Sequence, residues 1–76
     1  MTSIPARIHN AQRAFKRLPT TTDLDQAMVR SGRLLDRYMD ELPASHQTLT
    51  ARARITEAAD QYIQRCRRKY TGSTTA

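Results

Sequence analysis

No tryptophan occurs in these 76 residues, and there is one phenylalanine, one cysteine and only two glycines. Each shortage excludes something. A single cysteine, Cys66, cannot close an internal disulfide, so the default setting is a reducing compartment and the expected location is the cytoplasm. Two glycines, Gly32 and Gly72, leave no glycine-rich loop to cradle a phosphate. There is no long apolar run, which removes both a membrane-spanning helix and a secretory signal. Leu, Ile, Val and Phe together number 12. That is about 16% of the chain, below the ~20% level at which high net charge starts to favour disorder. A chain this short buries only about 60% of its unfolded surface, so one domain of marginal stability is the ceiling. A core this thin predicts a homodimer, or a monomer that gains stability from a heterologous helix.

Charge is what the chain has in excess, and it is unevenly placed. Residues 1–22 carry Arg7, Arg13, Lys16 and Arg17 and no acid. Residues 23–43 carry Asp23, Asp25, Asp36, Asp40 and Glu41 against three arginines, and residues 44–76 return to six bases against Glu57 and Asp60. Segment charges of +4, −2 and +4 make up the overall +6, with a pI near 10.5. Two basic segments around a mildly acidic one point to a polyanionic partner. The composition of residues 1–22 also describes a mitochondrial presequence, although the same residues have a structural explanation.

Prolines set the boundaries. Pro19 and Pro43 each follow a leucine and each end a stretch of helical period, because proline lacks an N–H and drives the preceding residue out of the α region. Ser3 can cap a first helix with Pro5 in its first turn. Ile4, Ile8, Ala11, Phe15 and Leu18 then form one apolar stripe, with Arg13 and Arg17 opposite and Lys16 at the edge. Thr22 and Asp25 resemble a capping box for a second helix. Its stripe is Leu24, Met28, Ser31, Leu35, Tyr38 and Leu42, widened by Ala27, Leu34 and Met39. That breadth makes the second helix the expected centre of the fold, with Gly32 at a close contact. Ser45 is the expected cap of the third helix, with Thr48 or Thr50 as alternatives. Ile55, Ala59, Tyr62, Cys66 and Tyr70 are its core stripe, with Ile63 at the edge. Gly72 is placed to end it. The expectation is an all-α protein: a single helical domain over residues 1–72, with helices near 4–18, 22–42 and 46–70 and a disordered tail at 73–76. The last two helices form an antiparallel hairpin within a small helical bundle, because the linker at Pro43 is short.

Catalysis finds little support, and the chain reads as a non-enzyme without metal or cofactor. His9 and His46 have no partner at motif spacing, and with Cys66 they are too few for a zinc site. Cys66 lies on an apolar stripe and reads as a small buried hydrophobe. Asp36 and Asp40, one turn apart, read as a solvated face beside Arg37.

The basic clusters are the remaining signal. Arg65, Arg67, Arg68 and Lys69 close the third helix, where cations favour the negative helix end by about 0.3–1 kcal/mol each. Four cations in five positions exceed what that term asks for. Arg54, Gln61, Arg65 and Arg68 share one arc. Arginine suits phosphate through bidentate hydrogen bonds, and Gln61 is the candidate for a base edge. Arg13, Lys16 and Arg17 supply a second patch if the first helix packs alongside. The fragment Ala59-Asp60-Gln61-Tyr62-Ile63-Gln64-Arg65-Cys66 resembles the end of the second helix of the Rop family, RNA-binding helical-hairpin dimers. That resemblance implies a hairpin shape. The RNA-contacting face of that family lies mainly on its first helix, where nothing here corresponds residue by residue, so no function is carried over.

The expected function is therefore a small regulatory or accessory protein that contacts the phosphates of duplex DNA or structured RNA through its third helix. The alternative is a protein–protein module, meeting an acidic protein surface through the same bases or docking on a larger partner through Met28, Leu34, Tyr38 and Met39.

Overall fold

Local chemistry sets where each helix starts. The Ser3 hydroxyl accepts the Ala6 N–H at 3.3 Å, and the first helix, α1, runs Ile4–Arg17 with Pro5 in its opening turn. The second helix, α2, runs Leu24–Asp40 and is capped by Asp23, whose carboxylate accepts the Gln26 N–H at 3.2 Å. The cap therefore sits one residue later than the Thr22–Asp25 pairing predicts. Asp23 is charged and suits the positive helix end better than a hydroxyl, while Thr21 accepts the Asp23 N–H at 3.1 Å and squares the approach. A single 3-10 turn at His46–Thr48 then leads into the long third helix, α3, Leu49–Thr74. The computed structural model describes residues 3–43 and 45–74, and among them no strand occurs.

Thr48 fastens the turn. Its side chain is 1% exposed, its hydroxyl lies 2.5 Å from the Pro43 carbonyl and 3.0 Å from that of Ser45, and it accepts the Ser45 N–H at 3.3 Å. One threonine thus satisfies a linker whose proline has no N–H to contribute.

The helices pack up-down-up. Arg7, near the start of α1, donates to the carbonyl of Glu41 at the end of α2. At the other end of the molecule Arg65 reaches Phe15, Tyr62 reaches Pro19 and Lys69 reaches Thr20. So α1 runs parallel to α3, and α2 runs back between their ends to form the expected antiparallel hairpin with α3. The whole measures 47 × 19 × 17 Å.

The centre of the fold is α3 rather than α2. Both other helices lie against α3 and touch each other much less. Ala51, Ile55, Ala58, Ala59, Tyr62 and Cys66 of α3 are all buried, against only Ala27 and Ser31 within α2. Small side chains are the physical reason. Three alanines on α3 admit close neighbours on both flanks, while the broad face of α2 packs mainly on α3 and spills over its edge. Met28, expected in the core, is 62% exposed, and Val29 beside it is 52% exposed. At the free end of α1, Ile4 is also exposed, so burial concentrates on Ala11 and Phe15, with Ile8 and Leu18 half-buried.

Two glycine expectations change as well. A Cβ added at Gly32 would meet nothing within 4 Å, so no close contact explains this residue. The third helix does not stop at Gly72 but continues to Thr74; glycine weakens a helix by ~1 kcal/mol without breaking it. Positions 73 and 74 of the expected tail are thus helical, and 75 and 76 lie outside the described residues. So does the side chain of Tyr70, expected on the core stripe.

Candidate nucleic-acid interface

Parallel packing of α1 on α3 decides which cations share a surface. Gln12, Phe15 and Lys16 from α1 and Ala58, Gln61 and Arg65 from α3 line one groove of about 280 Å³. A second depression adjoins it, lined by Gln61, Gln64, Arg65 and Arg68. The α3 members recur at steps of four and three, so Arg54, one turn before Ala58, extends the same flank. Lys16, Arg54, Gln61 and Arg68 are all exposed there. Four of the expected site residues of α3, Arg54, Gln61, Arg65 and Arg68, and one of α1, Lys16, thus stand together.

Arg13 and Arg17 do not join them. With Asn10 and Ala14 they line a depression on the other side of α1, against Tyr38 of α2. Two further cations that the sequence assigned to phosphate are already engaged within the chain. Arg65 donates from Nη2 to the Phe15 carbonyl at 2.7 Å, and its guanidinium carbon lies 5.7 Å from the centre of the Tyr62 ring. Phe15 also accepts the Leu18 N–H at 3.3 Å, so Arg65 helps close the C-terminus of α1, where a cation meets the negative helix end. Lys69 donates to the Thr20 hydroxyl at 3.3 Å. Arg67 is exposed but stands about 200° of helix rotation from Arg65, on another side of α3.

The turn between α1 and α2 is tied down by the same neighbourhood. Tyr62 is fully buried and donates its hydroxyl to the Pro19 carbonyl at 2.9 Å, and Arg30 approaches that carbonyl at 3.5 Å. Burial pushes the Tyr62 phenol above its ordinary value of 10.0; the neighbouring Cys66 adds to the rise, and Arg30 opposes it. Cys66 is fully buried beside it, as its place on the stripe predicts.

Two contributors to this face were not singled out from sequence: Gln12 in the groove and Gln64 in the adjoining depression. The available signal was spacing: Gln12 stands one turn before Lys16, and Gln64 one turn before Arg68, so each pair shares a helix face. Among the described residues no three His, Cys, Asp or Glu side chains converge in a way that could hold a metal ion. No described helix is long and apolar enough to cross a membrane. No family model, curated protein or solved structure matches this chain.

Proposed function

We propose that this protein binds the phosphate backbone of duplex DNA or structured RNA, as a small regulatory or accessory protein, across the α1–α3 face. The observation that carries the reading is the alignment of Lys16, Arg54 and Arg68 along one flank, all exposed and none with a hydrogen-bond or ion-pair partner among the described residues. Gln61 stands between them and offers an amide to a base edge. Phe15 and Tyr62, the aromatic side chains beside that flank among the described residues, are buried and offer unpaired bases no platform for stacking, so backbone contact to a duplex is the better fit. The test is a mobility shift over a salt series, comparing the wild type with Lys16→Ala, Arg54→Ala, Arg68→Ala. Losing three phosphate contacts flattens the log–log salt slope by about 2.7 on B-form duplex. Equal binding by the triple variant, or no retention of the wild type at low salt, rejects the reading.

A second reading rests on Met28 and Val29, which expose apolar surface on α2 away from the basic flank. That surface suits a protein partner or a second copy of the chain, since methionine adapts to irregular interfaces. Association that persists at high salt, with no retention on nucleic acid, favours it over the first. Sedimentation at two concentrations distinguishes a homodimer from a foreign partner.

A further inference from the structure

Within the basic flank one place is built differently from the rest. The groove between α1 and α3 has a floor made by Phe15 and the methyl of Ala58, a rim carrying the Lys16 ammonium and the amides of Gln12 and Gln61, and the Arg65 side chain at one end. No carboxylate lines it. Arg65 is held in place by its bond to the Phe15 carbonyl, and that bond uses one of its five N–H groups. Its Nε is buried and has no hydrogen-bond partner. That atom is closed to solvent, so a ligand in the groove would meet the other N–H groups of the guanidinium, which the bond to Phe15 holds in place. The groove thus combines a guanidinium held by one bond and with further N–H groups to offer, an exposed ammonium and two neutral amides, which can donate to oxygens without adding charge.

We propose that this groove seats a single phosphate group. The phosphate oxygens would accept from the guanidinium N–H groups of Arg65 that the Phe15 bond leaves over and from the ammonium of Lys16, and Gln12 and Gln61 would donate to the remaining oxygens. Phosphate fits this donor set better than a carboxylate does, because its tetrahedral oxygens can face α1 and α3 at once, while a planar carboxylate presents two. The adjoining depression shares Gln61 and Arg65 and adds Arg68. A diester strand could therefore continue from the first seat towards Arg68, and a free phosphate monoester could occupy the first seat alone. The inference rests on the phosphate-binding reading above, and narrows it from a charged flank to one seat with named donors.

The test is a nuclear magnetic resonance titration of the full chain at constant ionic strength, with inorganic phosphate, with a 5′-mononucleotide and with a short duplex. The signals followed are the Arg65 Nε–H and the side-chain amides of Gln12 and Gln61. The expected result is saturable movement of these three with phosphate, weakened about tenfold in Lys16→Ala by loss of one charge-assisted bond. Lys16 is exposed, so that variant keeps the fold; Gln61→Leu, also exposed, weakens binding without changing charge. If the duplex moves the same signals and competes with phosphate, the phosphate is that of a strand. If free phosphate moves them and no duplex is retained, the seat stands as a site for phosphate monoesters, and the nucleic-acid reading falls. If the duplex binds while the three signals stay still, the nucleic-acid reading survives and the seat is overturned. Unsaturable shifts spread equally over Arg13, Arg17 and the groove also overturn it.

Discussion

Gly32→Ala makes the sharpest test of how this molecule is stabilised. Gly32 is the midpoint of α2, with the helix extending equally to Leu24 and Asp40. It has no positive φ, so alanine is compatible with its backbone. A Cβ placed there would meet nothing within 4 Å, so the substitution creates no clash and gains no packing. What is left is the helix propensity difference, about 0.8–1.0 kcal/mol in favour of alanine. Unfolding entropy of about 2.1 cal/mol/K per residue, taken over the chain, converts that gain into a rise in Tm of about 5–6 °C. Thermal melts followed by far-ultraviolet circular dichroism at low micromolar concentration would measure it. An unchanged or lower Tm refutes the reasoning. A lower Tm that also varies with protein concentration would mean that a second chain approaches this face, next to the exposed Met28 and Val29, and that the glycine is needed for close contact.

The same structure sets three further expectations. Arg65→Met keeps the aliphatic stem but removes the bond to the Phe15 carbonyl; a charge-assisted bond is worth about 1.5–3 kcal/mol, offset in part by loss of the unmet Nε, so chemical denaturation should show a net cost of about 1–2 kcal/mol. A change close to zero would mean that Arg65 is not closing α1. The raised pKa of Tyr62 means that the unfolded chain releases the phenolic proton first, so its contribution to stability is full below pH ~10 and is lost as pH rises through the raised folded value. Tyr62→Phe should cost about 1 kcal/mol at neutral pH, through the bond to Pro19, and should flatten the alkaline loss of stability; parallel alkaline limbs in the two proteins would contradict this. Cys66 is fully buried in the core, so a thiol reagent should modify it no faster than the chain unfolds, and labelling that outpaces unfolding would show that α3 opens locally at that turn.

Sequence alone determined the three helices, their order and the start of the first at Ile4, because these depend on neighbours along the chain. Pro19 and Pro43 stop helices wherever they fall, Ser3 caps the helix that begins at Ile4, and Phe15, Ile55, Tyr62 and Cys66 lie on stripes whose period fits only a helix. The antiparallel pairing of α2 and α3 is imposed by the short linker at Pro43. The tertiary structure decided which helix lies in the middle. Counting large apolar side chains favours α2, but centrality depends on how closely neighbours can approach, and Ala51, Ala58 and Ala59 give α3 that closeness on two flanks. It also decided which cations face outward. Arg65 and Arg68 lie in one arc of a helical wheel, about 60° apart, and the C-terminus of α1 lying within reach engages Arg65 while Arg68 stays in solvent. The split of Lys16 from Arg13 and Arg17 has the same origin: these residues share the polar side of α1, and the two helices packed against α1 divide that side between separate grooves. A side chain's face is a local property, but what lies opposite that face belongs to residues about fifty positions away, and no spacing rule along the chain reports it.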